Sequence, residues 1–408
     1  MKSKRDYFTA ANSEPIVQIK GMTTGQEFSL REYTYGVLVP DCKHPLSSVS
    51  VSNNSLSIDL WAGCAWQCRY CHVQGTHQDL VEHGMMPRKP QRRNSFTVDQ
   101  IIDELVKHPF FIVDETVISI GTASTEPFAP GQVTDSTFEI MESFVRRGFK
   151  NPFWIVTKGG IPKGRKLDLA RITRATRGLM ISICWADNPD TIEPVRNNRF
   201  LSVEEAKEAG VIIAWYMRPI VPEWSGNPDR IEMMMLWVKK HYGNVIDMIV
   251  PGGLRWTEGI ENGLVEIHKL PMPNIPRDDN VKSLPKDLVD TILSLSEEHF
   301  PGVPVYLKSS CALTKMLGLP SITSVQIFAR EECESSHCPL AQRQICAQKS
   351  SCSMTTEHAQ IILDNLGISA HVVRWDQNYG LVTHPDMSTF TYAIRQTVFK
   401  HLAKGGSP

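Results

Sequence analysis

The chain has almost no net charge: 43 Lys and Arg face 44 Asp and Glu, leaving −1 over 408 residues. That balance creates no broad field for a polyanion or an acidic membrane face, so tight duplex binding is not expected. No stretch reaches the ~18 apolar residues of a membrane span, so no spanning helix and no membrane partner are expected. The opening residues, "MKSKRDYFTAANSEP", contain no continuous apolar core of a secretory signal, and the chain reads as cytoplasmic. Nucleotide-binding G-x-G-x-x-G and Walker patterns are missing too. The nearest stretch, "IVPGGLR" at 249–255, reads as the tight end of a strand. The one basic run, "RKPQRR" at 88–93, reads as a solvated loop ahead of a phosphate patch.

What is present is 41% apolar, enough for a large core. Residues 1–54 are polar and irregular, an N-terminal extension with one strand expected at "YGVLVP". From 55 to 260, apolar β-branched runs alternate with segments of helical period. The expected strands are 55–61, 115–122, 153–158, 179–185, 211–217 and 245–250. Between them lie the expected helices 97–108, 135–148, 167–177, 202–210 and 227–243, three of which close on Gly after a basic or polar last turn. Ser202 and Glu205 have the spacing of a capping box. This alternation predicts a parallel sheet with crossover helices, and curvature would make it three-quarters of a (β/α)8 barrel. The run "MMMLW" at 233–237 reads as core. Residues 261–408 break the pattern and read as a small cysteine-rich α+β domain. Its expected elements are a helix at 283–300, a short strand at 303–311, a helix at 355–367, strands at 371–377 and 379–385, and a last helix at 388–405.

Ten cysteines in a cytoplasmic chain need a chemical reason, because disulfides are disfavoured there. "GCAWQCRYCH", Gly63–His72, sets Cys64, Cys68 and Cys71 directly after the first strand. Thiolates at such spacing wrap one small soft-metal or iron–sulfur site. A closed four-iron cluster takes four thiolates, so three leave one iron open to a ligand. A zinc knuckle completed by His72 or His77 is the alternative. A second group, Cys311, Cys333, Cys338, Cys346 and Cys352, could hold an auxiliary iron–sulfur cluster or zinc, although its spacing is not that of a zinc ribbon. Cys42 and Cys184 stand alone.

The pattern C-x3-C-x-aromatic-C, here Cys64, Cys68, Tyr70 and Cys71, resembles the signature of the radical SAM superfamily. The strand–helix alternation is similar to that superfamily's partial (β/α)6 barrel. Within it, "AGCAWQCRYCHVQ", "FWIVTKGG" and "YMRPIVP" look most like the spore photoproduct lyases. The resemblance implies a 4Fe–4S cluster on the three cysteines and S-adenosyl-L-methionine chelated to its open iron. It implies reductive cleavage to a 5′-deoxyadenosyl radical that abstracts hydrogen from substrate, with electrons from a flavodoxin or ferredoxin-type reductant. It also implies cofactor contacts from Tyr70, Thr122, Ser124, Lys158, Ser182 and Arg218, at or near the C-terminal ends of strands, where barrel enzymes place their chemistry.

One position departs. The lyase's hydrogen-donating cysteine follows strand two, and here that segment reads Gly121–Thr122–Ala123–Ser124. Dimer repair is therefore not carried over. Cys184 shares a strand face with Ser182 and is the candidate replacement donor, with Arg218 beside it as a second candidate catalytic group. Trp215, Trp224 and Trp256 either wall the pocket or pack. The expected substrate is a small molecule, nucleoside-like or a natural-product scaffold. A nucleic-acid lyase or repair enzyme, and a non-catalytic metal-binding module, are the alternatives.

Overall fold

Strand-length runs of Val, Ile and Leu bounded by Gly and polar residues produce the sheet on which everything else is mounted. The computed structural model describes residues 18–20, 27–29, 45–51, 55–71, 90–106, 111–193, 199–254, 258–275, 284–318, 338–349, 357, 360, 371–375 and 380–383, apart from 65, 67, 112, 123, 262, 263 and 266–268. The strands in chain order are β1 (Gln18–Lys20), β2 (Glu27–Ser29), β3 (Val49–Val51), β4 (Leu56–Ile58), β5 (Trp61–Ala62), β6 (Gln91–Arg92), β7 (Ile118–Ile120), β8 (Phe153–Thr157), β9 (Leu179–Cys184), β10 (Ile212–Tyr216), β11 (Met248–Ile249), β12 (His371–Trp375) and β13 (Gly380–Thr383). The main sheet runs β11-β10-β9-β8-β7-β4-β3. All its pairs are parallel except β3 with β4. Six parallel strands thus stand within the six expected runs, β9 at nearly full length but β7 and β11 cut to three and two residues, and the first run divided between β4 and β5. The architecture is α/β, a parallel sheet flanked by helices, and is compatible with a partial α/β barrel. β1–β2, β5–β6 and β12–β13 form separate antiparallel pairs.

The helices are α1 (Val98–Leu105), α2 (Gln132–Arg146), α3 (Lys166–Ala175), α4 (Val203–Glu208), α5 (Pro228–Tyr242), α6 (Glu258–Glu261), α7 (Lys286–His299), α8 (Ser309–Leu317) and α9 (Leu340–Lys349). α1 begins with a full capping box between Thr97 and Gln100. α5 begins with Asn227 as cap and Pro228 in the first turn. The box expected at Ser202 does not form. Ser202 sits in the left-handed region at φ 56, where its hydroxyl makes no bond to the helix, whereas a cap needs extended backbone. No helix among the described residues is long and apolar enough to cross a membrane.

Period-two patterning splits the sheet into two faces. Leu56, Ile118, Phe153, Ile155, Ile181, Ile213 and Trp215 point to one face and pack against α1 to α5 and α7 in the largest core cluster. Each such fully buried side chain contributes roughly 1.5–3 kcal/mol by the area it removes from water. The alternate residues, Trp154, Met180, Ala214, Tyr216 and Met248, face the other way, where Tyr306 and the α8 residues Ala312 and Leu313 cover them. The strand expected at 303–311 reduces to one bridge, Val305 to Ile249, and the chain turns helical at Ser309. "MMMLW" is only partly core: Met234 and Met235 are buried, while Met233, Leu236 and Trp237 are exposed, because a helix has room for one buried stripe. The expected strand at "YGVLVP" and helix at 388–405 lie outside the described residues, as does nearly all of 355–367.

Candidate metal and cofactor site

The cysteine loop leaves β5 at Gly63 and is held at both ends. Gly63 N donates to Ser124 O (3.1 Å), Thr125 Oγ1 donates to Gly63 O (2.6 Å), and Ser124 Oγ donates to Trp61 O (2.6 Å). At its far end Arg69 N donates to Ile192 O (2.9 Å). Between these ties the Trp66 ring lies on the backbone of Gly159, where a Cβ would sit 2.8 Å from Cζ2. The first glycine of the "GG" after β8 is needed for this close approach, and the second, Gly160, for its left-handed backbone at φ 77. Gly159→Ala is expected to cost about 1–3 kcal/mol through the overpacking it forces. Urea unfolding checks it, and an unchanged midpoint would mean that Trp66 has room to move.

Residue parity carries the same strand face up to the ends of the strands. Thr157 pairs with Ile183, so Lys158 and Cys184 follow as neighbours, and Cys184 is paired with Tyr216. Ser182 and Tyr216 are buried at this face, whereas Lys158, Cys184 and Arg218 remain partly exposed. The buried layer therefore opens into a polar mouth at this level.

Four charged or phenolic side chains meet there. Lys158 Nζ donates to Glu193 Oε1 (2.6 Å) and to Tyr70 OH. Tyr70 OH donates to Glu193 Oε2 (2.8 Å), Asn188 Nδ2 donates to the same oxygen (3.2 Å), and Arg199 Nη1 lies 2.5 Å from Oε1. Cys68 Sγ approaches Glu193 Oε1 at 3.9 Å. Burial opposes the Glu193 charge, but Lys158 and Arg199 outweigh it and hold the carboxyl at about 2. Burial also opposes the Lys158 charge, and Cys184, Glu193 and Cys68 more than offset it, so the ammonium lies above its ordinary range. Burial, with Glu193 second, raises the Tyr70 phenol. Glu193 is the group that ties Lys158, Tyr70 and Arg199 together.

The other expected residues are placed as follows. Thr122 Oγ1 lies 2.6 Å from Ser57 Oγ at the end of β7, and Ser124 is buried with its hydroxyl also donating to Asp59 Oδ1 (3.0 Å). Ser182 Oγ accepts from Trp154 Nε1 (3.0 Å), one layer below the mouth. Arg218 donates to Ser309 Oγ (3.0 Å) and Pro251 O (3.3 Å), and the Cys184 thiol faces Arg218 O at 3.6 Å. The Lys158 and Arg218 groups of contacts meet at Cys184. Trp224 stands by Tyr70, ring centroids 5.9 Å apart, and Trp215 is core packing; Trp256 lies outside the described residues. The Gly-rich stretch is the strand end it was expected to be: Gly252 sits against Arg218, and Gly253 bridges to Ile220. Arg92 and Arg93 of the basic run bond backbone carbonyls at Asn94, Phe96 and Asp59.

Glu193, Arg199 and Glu126 escaped the sequence reading. Glu126 is buried; it accepts from Lys158 N (2.8 Å), Phe128 N (3.2 Å) and the Thr157 hydroxyl, and burial raises its pKa. It lies in "GTASTEP", where a lone acid before Pro was the available signal. Glu193 and Arg199 lie in an aperiodic stretch after β9 that offered none.

Three thiols on one short loop are a soft donor set suited to iron–sulfur ligation. Burial, then Glu126, pushes the Cys64 thiol up to about 12, and burial raises Cys68 as well. Cys71 is within electrostatic reach of both. Among the described residues no three His, Cys, Asp or Glu side chains are gathered closely enough to hold a metal ion. The loop thus matches a cluster by donor type alone. Of the second cysteine group, Cys311 and Cys338 pack on the same cluster under the sheet, and Cys346 lies on α9. Cys333 and Cys352 lie outside the described residues. No protein-family model matches the chain, and no curated protein is significantly similar to it.

Proposed function

We propose that the chain is a radical SAM enzyme with a partial (β/α)6 barrel, acting on a small molecule in the cytoplasm with a flavodoxin or ferredoxin-type reductant. The observation that carries this reading is the meeting, at the C-terminal ends of the parallel strands, of Cys68 on its three-thiol loop with the cluster of Lys158, Glu193, Tyr70 and Arg199. Cys64, Cys68 and Cys71 would hold the 4Fe–4S cluster. When bound, cluster and S-adenosylmethionine supply one-electron cleavage of the sulfonium and a carbon radical. The chain's own residues do the positioning. Lys158, kept charged, offers an ammonium to the methionine carboxylate. Glu193 fixes Lys158, Tyr70 and Arg199 in one geometry, so little reorganises on binding. Trp66 and Trp224 shield the loop from water. Cys184, between the Lys158 and Arg218 groups, is the thiol placed to give hydrogen to a substrate radical. Cys311, Cys338 and Cys346, with Cys333 and Cys352, are proposed to hold a second cluster or zinc.

The test is anaerobic reconstitution with iron and sulfide, reduction, and assay of S-adenosylmethionine cleavage. Formation of 5′-deoxyadenosine and methionine is the expected result. Iron-loaded, reduced protein that leaves the cofactor intact would favour a non-catalytic metal-binding module. Affinity for DNA that falls steeply with salt would instead favour a nucleic-acid substrate.

A further inference from the structure

Arg218 is out of balance with its surroundings. Among the described residues no carboxylate pairs with it. Its guanidinium lies over the Tyr216 ring, 4.6 Å from the centroid, and its Nε is buried without a hydrogen-bond partner against the bare backbone of Gly252. A Cβ on Gly252 would stand 2.5 Å from that Nε, so the glycine is what lets the side chain lie there. Nη1 and Nη2 each use one hydrogen, on Ser309 and Pro251, and each keeps one. The buried Tyr216 hydroxyl, beside Ser182 and Ser309, makes no hydrogen bond of normal geometry either. The buried Nε has lost water without gaining a partner, a cost that an anion on the guanidinium would offset. The fork geometry of Arg matches a planar or tetrahedral oxoanion.

We propose that Arg218, with the hydroxyls of Tyr216 and Ser309, is the recognition site for an oxoanion, carboxylate or phosphate, carried by the substrate. Cys184 adjoins this site through the Arg218 carbonyl, so the anion would anchor the substrate with its neighbouring carbons next to the thiol. That the anion belongs to the substrate of a radical reaction rests on the reading above. The anion site does not, and its binding is read without any cofactor cleavage, so the two fail separately.

The experiment is thermal stabilisation of the full chain by inorganic phosphate and by acetate, titrated at constant ionic strength. Saturable stabilisation by one of them is expected, and the anion that saturates first names the group. Arg218→Met should weaken it about tenfold or more, the scale of lost hydrogen bonds to a charge. Gly252→Ala, which displaces the guanidinium without removing it, should weaken it as well and serves if Arg218→Met does not fold. Equal responses of wild type and both variants, or no saturable response of the wild type to either anion, would overturn the proposal. Loss of S-adenosylmethionine affinity in Arg218→Met with phosphate and acetate binding unchanged would also overturn it, by assigning Arg218 to the cofactor.

Discussion

Glu193→Gln is expected to cost about 3 kcal/mol of folding stability, because it replaces with a neutral amide the buried carboxylate that both Lys158 and Arg199 contact. The amide keeps the shape and can still accept hydrogen bonds, so the loss reports charge rather than volume. The size agrees with the electrostatics of the site: a carboxyl held at about 2 instead of 4.5 at 3% exposure corresponds to about 3 kcal/mol. The sign follows from the same shift. The folded-state pKa lies below the unfolded one, so the contribution is fully present above 4.5 and disappears as pH falls towards 2. Urea unfolding of both proteins across that window should show their midpoints converging with acid. Parallel curves would mean that Lys158 and Arg199 find other counter-charges. Glu193→Asp, which keeps the charge on a shorter arm, should recover part of the loss.

Changing Cys64, Cys68 and Cys71 together to Ala should remove about four irons per chain after anaerobic reconstitution, the content of one cubane. Cys68→Ala alone should be nearly as damaging, since its sulfur lies deepest, 6% exposed and next to Glu193. If the wild type holds about eight irons and the triple variant about four, the C-terminal thiols carry a second cluster. In that case Cys311→Ala with Cys338→Ala should remove the remainder, because these two already share one packing cluster. An iron content untouched by the triple variant would refute the ligand assignment.

Both the scaffold and the loop were legible in the amino-acid order, for a local reason. Each parallel strand is buried on both faces and so reads as a short apolar run, and C-x3-C-x2-C is a contiguous pattern. Parity alone placed Ser182 and Cys184 on one face, as found. What escaped was set by chain crossings. Glu193 matters because the stretch after β9 passes over Lys158 and Tyr70, sequence separations of 35 and 123 residues. Ser309 meets Arg218 across 91 residues. No periodicity encodes such meetings. The missing cap at Ser202 and the helix in place of a strand at 309–311 are cases where tertiary context overrode a local preference.

The way the cysteine loop is tethered bears on the order in which the protein matures. Many small metal sites are shaped only by the metal, and their apoproteins are unfolded. Here the loop's course follows from backbone bonds at Gly63 and Arg69 and from Trp66 seated on Gly159, none of which involves a sulfur. If the loop holds the proposed cluster, folding and cofactor delivery would then be separable events: a newly made chain would reach its final architecture first and be loaded afterwards, and one stripped of its cluster would be recharged without passing through an unfolded state.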